Sequence, residues 1–189
     1  MQRFHQLVFI ISLLALSWMG MMMTHELGHV LGALVSGGTV EKVVLNPLTI
    51  SRTDVAPNPS PLVVVWLGPI VGCVLPLVAA MLVPARLSFA QRTAMFFAGF
   101  CVLANGAYIA VGSIDKVGDC GEMLKHGSKL WTLLLFGAIT IPIGFWQWHR
   151  IGSAKEFLAH PELVNPATAW TFFAAAVVVF TIALTVSPM

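Results

Sequence analysis

The residues best suited to chemistry in this chain lie at positions 25–29, which read His-Glu-Leu-Gly-His. Residues four apart lie on one face of an α-helix, so His25 and His29 can bind the same metal ion. Glu26 directly follows the first histidine, where its carboxylate can take a proton from metal-bound water. This H-E-x-x-H spacing is typical of zinc hydrolases, in which zinc lowers the pKa of its water to about 7. The segment predicts one Zn²⁺ ion held by His25 and His29, with Glu26 as the general base.

Chance placement is a poor explanation for this segment. With six histidines and five glutamates among 189 residues, random order would produce the motif in roughly half a percent of chains. Its surroundings strengthen the functional interpretation, because ionisable groups inside an apolar helix are costly and usually functional. A polar cluster that only packs helices together is therefore the weaker interpretation.

A catalytic zinc ion usually has three protein ligands and one open position, so a third ligand must come from elsewhere in the chain. The best-placed candidates are two acidic residues, Asp119 and Glu122, in the polar connection after the third apolar run. They lie three residues apart, so both can occupy one face of a short helix. Spacing alone leaves both open. Among the remaining histidines, His126 is of most interest because it lies seven residues beyond Asp119.

Composition and the lengths of the apolar runs place these residues in a membrane protein. The chain is 58% hydrophobic and only 10% charged, with a mean hydropathy of +0.88, whereas soluble domains carry about 25% charged residues. A helix needs about 20 apolar residues to cross a bilayer. Four uncharged runs have this length and a fifth leads into the histidine motif; the runs are residues 7–24, 62–83, 93–114, 130–148 and 167–189. The chain is therefore expected to be an integral, multi-pass membrane protein.

The segments between these runs complete the predicted fold. Helix one is expected over residues 7–35, since two glycines at 37 and 38 stop it. Residues 39–45 are β-branched and roughly alternating, which predicts a strand, with residues 48–51 as its hairpin partner. We therefore predict an all-α membrane protein of five transmembrane helices, with a short membrane-associated β-hairpin between helices one and two. Residues 1–189 form a single domain in this interpretation.

Other features of the sequence exclude or leave open several alternatives. The net charge is +2 and no basic block is present, so a nucleic-acid partner is not expected. The three cysteines lie in or beside apolar segments and form no disulfide framework. The first apolar run is expected to be a retained helix, because cleavage as a signal peptide would remove most of the helix that carries the histidines. Five basic residues fall on each side of the predicted helices, so the positive-inside rule does not decide orientation.

The order of these motifs resembles the site-2 protease family of intramembrane zinc metalloproteases. Gly28 and Gly32 surround the second histidine as in that family, and Gly68-Pro69 matches its Gly-Pro helix. Residues 119–124, which read Asp-Cys-Gly-Glu-Met-Leu, resemble the family's Asp-Gly-Gly-x-x-Leu segment. The resemblance covers residues 7–124 as a metalloprotease core, to which residues 130–189 add two helices.

The resemblance implies a function and completes the set of ligands. It assigns Asp119 as the third zinc ligand and implies hydrolysis of peptide bonds in transmembrane or membrane-tethered proteins. It also favours a prokaryotic cell membrane as the location. The alternative is a membrane protein that binds zinc without hydrolysis, such as a pseudoprotease or a transporter-like protein.

The chain departs from the family at the residues expected to hold the substrate. Residues 111–118 lack the family's Asn-x-x-Pro segment, and Cys120 replaces a glycine. Asn105 and Ser113 are the candidates to take over substrate positioning. The predicted strands are expected either to receive an unwound substrate by strand addition or only to shield the site.

Overall fold

Five long helices, each apolar enough to cross a membrane, form the body of this protein in a computed structural model that describes residues 1–152 and 154–187. Two shorter helices and a two-stranded hairpin join them. In chain order the elements are α1 (Gln2–Ser36), β1 (Val40–Val44), β2 (Arg52–Val55), α2 (Pro61–Leu82), α3 (Ser88–Asp115), α4 (Asp119–Lys125), α5 (Leu130–Ile151), α6 (Ala154–Ala159), a 3₁₀ turn (Pro161–Leu163) and α7 (Pro166–Val186). The predicted fold class is confirmed: five apolar helices, with the hairpin between the first two. By length and composition this is a multi-pass membrane protein.

The first helix ends where glycine allows it to end. Gly37 adopts a left-handed conformation with φ of 79°, which L side chains rarely adopt. The backbone N–H of Gly38 then donates to the carbonyl of Ala33 over 2.8 Å, so one of the last carbonyls of the helix is satisfied. This turn separates α1 from the hairpin and directs β1 back toward the helix.

The hairpin has a different second strand from the one predicted. Residues 47 and 48 form a turn and residues 49–51 are irregular, and the strand that pairs antiparallel with β1 is β2, with Val43 opposite Thr53. The reason lies in Asn46, whose side-chain oxygen accepts a hydrogen bond from the Leu48 N–H over 2.9 Å. The Asn46 carbonyl also accepts from Thr49 N–H over 3.3 Å. Such local bonds favour a turn over a strand, so pairing starts only at Arg52.

The turn of the hairpin is anchored on two of the long helices. Asn46 is 1% exposed, and its amide nitrogen donates to the carbonyl of Ser187, at the end of α7, over 2.9 Å. The hydroxyl of Ser187 accepts from the Leu45 N–H over 3.1 Å. On the other side, the indole of Trp18 in α1 donates to the carbonyl of Pro47 over 3.3 Å. The turn of the hairpin is therefore held by α1 and by the residue that follows α7.

Small residues allow the helices to approach closely around the histidine motif. A Cβ atom at Gly28 would overlap the carbonyl of Leu67 in α2, and a Cβ atom at Gly32 would lie 2.7 Å from the Cα of Val64. Glycine at these two positions therefore lets α1 and α2 pack backbone to backbone, as small residues do in membrane helices. This contact places the start of α2 directly beside His29.

Helices α3 and α5 pack against each other in the same manner. A Cβ atom at Gly137 would overlap that of Ala110, and it would lie 2.8 Å from the carbonyl oxygen of Gly106. A Cβ atom at Gly144 would lie 3.0 Å from the carbonyl oxygen of Gly99. α5, the first long helix after residue 124, thus packs directly against α3 and supports it.

The short helix α4 is fixed by its buried side chains. Cys120 and Met123 are fully buried in one cluster with Val65 of α2, Ile109 of α3 and Leu133 of α5. Three long helices therefore determine the position of α4, and with it the position of Asp119 at its first turn.

We predict that Gly137→Leu disrupts the packing of α3 on α5. Overpacking a close contact costs about 1–3 kcal/mol, which corresponds to a decrease in Tm of roughly 3–10 °C for a chain of this size. The neighbouring Ala138 is exposed on the same helix, so Ala138→Leu is the matched control and is expected to leave Tm unchanged. Thermal unfolding of both variants in detergent measures the difference, and equal Tm values would contradict the packing described here.

Candidate metal centre

The three residues of the H-E-x-x-H motif are buried in the middle of the protein. His25, Glu26 and His29 are 5%, 2% and 4% exposed. Successive residues of an α-helix are turned by about 100°, so the two imidazoles lie on nearly the same side of α1 and Glu26 faces a different direction. The histidines point toward α2 and α3, whereas Glu26 points toward the hairpin. One helix therefore presents two imidazoles on one side and a carboxylate on another.

Each imidazole is oriented by an oxygen atom behind it. His25 Nδ1 lies 2.6 Å from the side-chain oxygen of Asn105, and His29 Nδ1 lies 2.9 Å from the backbone carbonyl of Val64. The Asn105 amide nitrogen donates to the carbonyl of Cys101 over 2.8 Å, which assigns the other amide atom facing His25 as oxygen. Both oxygens accept hydrogen bonds, so both Nδ1 atoms carry a proton. The two Nε2 atoms are then left with lone pairs, as metal binding requires.

Asp119 meets both of these lone pairs. Its Oδ2 lies 2.7 Å from His25 Nε2 and 3.3 Å from His29 Nε2. Three atoms that all offer lone pairs therefore converge, and a cation, or a second proton on one imidazole, is needed among them. A tetrahedral zinc ion with bonds of about 2.0–2.1 Å keeps its ligand atoms roughly 3.3 Å apart. The donor types fit a zinc ion; the contact of Asp119 with His29 matches this spacing, and its contact with His25 is shorter, at the length of a hydrogen bond.

The surroundings of Asp119 favour its ionised form. Burial by itself raises the pKa of a carboxyl group, but a second proton on the facing imidazoles of His25 and His29, through its hydrogen bond and its positive charge, outweighs this effect and holds the pKa of Asp119 below its usual range. A carboxylate that is ionised at neutral pH is the form that binds metal ions.

Glu122, the second candidate for third ligand, lies elsewhere. It is exposed, and its carboxylate is 3.1 Å from Lys125 Nζ and 3.3 Å from His126 Nε2. The predicted short helix is confirmed as α4, but it presents Asp119 to the histidine pair and Glu122 to the rim of the cavity. His126 lies at the same rim, away from the two imidazoles.

The start of α4 is positioned by Tyr108, which the sequence analysis did not identify. The Asp119 N–H donates to the Tyr108 hydroxyl over 3.1 Å, and the Tyr108 ring packs edge-on against His25. Gly118 has a φ of 54°, and a Cβ atom there would overlap the same hydroxyl. The one available signal in the sequence is that this residue is the sole tyrosine of the chain.

The glycines of α2 make room for the side chains of the site. A Cβ atom at Gly68 would overlap the imidazole of His29, and one at Gly72 would lie 2.8 Å from the Asn105 amide nitrogen. Gly68 thus lies against His29, a candidate ligand, and Gly72 lies against Asn105, which orients the other candidate ligand, His25.

Asn105 and Ser113 do not lie where a substrate could contact them. Asn105 is completely buried and both of its amide atoms are bonded within the protein. Ser113 is 2% exposed and its hydroxyl donates to the carbonyl of Ala110 over 2.6 Å. The expectation that they position a substrate is therefore corrected: Asn105 acts behind His25, and Ser113 bonds its own helix.

A polar cavity leads to this cluster from the hairpin side of the molecule. Its volume is about 810 Å³. His29 and Asp119 lie in its wall, and all four residues of β2 line it, whereas β1 contributes Glu41 alone. Ionisable residues also line the cavity; they include Lys116, Glu122 and His126. The charged lining makes this cavity suitable for water and for a peptide backbone.

Comparisons with protein-family models, with curated proteins and with solved structures found no match to this chain. The resemblance to site-2 proteases therefore depends on the motifs quoted above, and the function is inferred from the chemistry of the site itself.

We predict that Asp119→Ala removes zinc from the purified, detergent-solubilised protein, because two imidazoles alone form a weak site. Glu122→Ala is the matched control on the same short helix. It is expected to retain about one zinc per chain, as the wild type does. Elemental analysis of zinc and protein measures this ratio. Zinc retained in Asp119→Ala but lost in Glu122→Ala would reverse the assignment.

We also predict that Asn105→Ala weakens zinc binding without abolishing it. Loss of the oxygen that orients a metal-binding histidine typically reduces metal affinity about 10- to 100-fold. Ser113→Ala, a second buried polar residue of α3, is expected to retain wild-type affinity. Competition with a chromogenic chelator measures both affinities. Equal affinity in the two variants would mean that the bond to His25 does not orient the ring.

Proposed function

We propose that this chain is a zinc-dependent intramembrane peptidase that hydrolyses peptide bonds in transmembrane or membrane-tethered proteins. One observation carries the proposal: His25 Nε2 and His29 Nε2 both lie within 3.3 Å of Asp119 Oδ2, beside a buried glutamate and at a polar cavity. A site used only for packing would not need three converging lone pairs with a cavity leading to them. The prokaryotic location remains a prediction that follows from the family resemblance alone.

In this proposal His25, His29 and Asp119 hold the metal ion. When bound there, zinc supplies a Lewis acid that acidifies water and polarises a carbonyl group. The protein fixes the two imidazoles, with their Nε2 atoms turned toward Asp119, through the Asn105 side chain and the Val64 carbonyl. It also supplies one negative charge from Asp119, which partly compensates the charge of a divalent ion.

Glu26 is the general base of the proposed reaction. Candidate ligand atoms of Glu26, His25 and His29 all lie within 4.8 Å of one another, so the carboxylate reaches the space where a water molecule would react. We assign it to proton transfer and Asp119 to metal binding, because the Asp119 oxygen lies nearer both imidazoles. Glu26 would accept the proton of the attacking water and then donate it to the nitrogen of the leaving amine.

The substrate must reach the site in an extended conformation. A transmembrane helix hides its peptide groups in its own hydrogen bonds and does not release them in lipid. The charged cavity provides a place where water can replace those bonds. β2 lines the cavity and pairs with β1 on its other side, so β2 is the strand to which an unwound segment would add.

We predict that Glu26→Gln abolishes cleavage and retains zinc. Loss of a general base typically reduces the rate about 10²- to 10⁴-fold, while both histidines and Asp119 stay in place. Release of dye from labelled casein, used as a generic unfolded substrate, measures activity in detergent, and elemental analysis measures zinc. Glu122→Gln, at the rim, is the matched control with expected wild-type activity.

Two results would contradict the proposed function. Glu26→Gln that cleaves as fast as the wild type would exclude Glu26 as the base. A wild type that binds about one zinc but cleaves neither casein nor labelled transmembrane peptides would favour the alternative of a zinc-binding protein without hydrolysis.

A further inference from the structure

We propose that Thr53 is a positioning residue for Glu26, whose hydroxyl holds the carboxylate in the orientation that proton transfer requires. The inference rests on the proposed function and extends the reaction machinery from the helices to the hairpin. Thr53 lies in β2, 27 residues from Glu26 in the chain. The H-E-x-x-H motif by itself does not indicate that Glu26 has such a partner.

The contact itself is short and buried at the carboxylate end. The Thr53 hydroxyl donates to Glu26 Oε2 over 2.6 Å, a distance typical of a hydrogen bond from a hydroxyl to an ionised carboxylate. Glu26 is 2% exposed. Within the described part of the chain, this is the one hydrogen bond that the Glu26 side chain makes. The other carboxylate oxygen is therefore left for water.

Glu26 needs such a partner because of its place on the helix. The bonds that orient the histidines come from α2 and α3, but Glu26 faces the hairpin instead. A glutamate side chain has several rotatable bonds, and fixing them costs conformational entropy. A hydrogen bond to one oxygen favours one orientation before the substrate arrives, which is how a base is kept within reach of its proton.

Thr53 is well suited to hold another group, because it is itself held from several sides. Its strand pairs with β1 at Val43, and its branched side chain has restricted rotation. The turn between the strands is anchored through Asn46 to Ser187 and through Pro47 to Trp18. α7, which lies beyond the metal-binding core, thereby supports the hairpin from which Thr53 reaches Glu26.

The test compares Thr53→Val, which keeps the shape and removes the hydroxyl, with Thr53→Ser, which keeps the hydroxyl. Thr49→Val, at an exposed position of the hairpin turn, is the control for substitution in the hairpin. With labelled casein, kcat of Thr53→Val is expected to fall roughly 10- to 100-fold, the loss that corresponds to one hydrogen bond to a charged group. KM and zinc content should stay at wild-type values, and Thr53→Ser should recover most of kcat.

Three results would overturn the proposal. They are wild-type kcat in Thr53→Val, a Thr53→Ser variant as slow as Thr53→Val, and loss of zinc in Thr53→Val. The last would mean that the threonine maintains the structure of the whole site rather than the orientation of the base.

A second readout does not depend on activity. The infrared carboxylate band of Glu26 is obtained as the difference between a protein and the same protein with Glu26→Gln. Relative to wild type, this band should shift in Thr53→Val and stay in place in Thr49→Val. If the wild type is active and the band is unshifted in Thr53→Val, the role of Thr53 is overturned and the proposed function is not. A wild type that binds zinc but cleaves nothing would overturn the proposed function, and the role of Thr53 with it, even if the band shifts.

Discussion

The structure depends on one constraint, the convergence of three lone-pair atoms in the interior of an apolar helix bundle. Polar groups buried away from water are costly unless each has a partner. Here the Nδ1 atoms have partners in Asn105 and Val64, whereas the Nε2 atoms face Asp119 and need a cation or a proton between them. The bonds on the outer side determine the tautomers, so the inner side is ready for a cation.

The packing of the helices follows from this requirement. The imidazole of His29 fits against α2 only because residue 68 is glycine, and the Asn105 amide fits only because residue 72 is glycine. Backbone contact at Gly28 brings α1 and α2 close enough for the Val64 carbonyl to reach the ring. The small residues therefore let α2 approach both His29 and the residue that orients His25.

The hairpin connects this buried cluster with the polar cavity. Its second strand forms one wall of the cavity and bonds Glu26, while its turn is held by α1 and α7. The strand predicted at residues 48–51 was wrong because one side chain, that of Asn46, stabilises a turn there. This shift places Thr53 in the second strand, where its hydroxyl reaches the carboxylate of Glu26.

By itself the sequence determined the features that depend on local order. The lengths of the apolar runs predict five membrane helices, the glycines predict the end of α1, and the four-residue spacing of the histidines places both on one face of a helix. Spacing could not choose between Asp119 and Glu122, because three residues of separation allow either to face inward. Tertiary structure made that choice through Tyr108, which holds the start of α4. It also gave Asn105 and Thr53 their partners, 80 and 27 residues away. Periodicity and hydropathy are properties of neighbouring residues, whereas these contacts depend on how separate helices and the hairpin pack together.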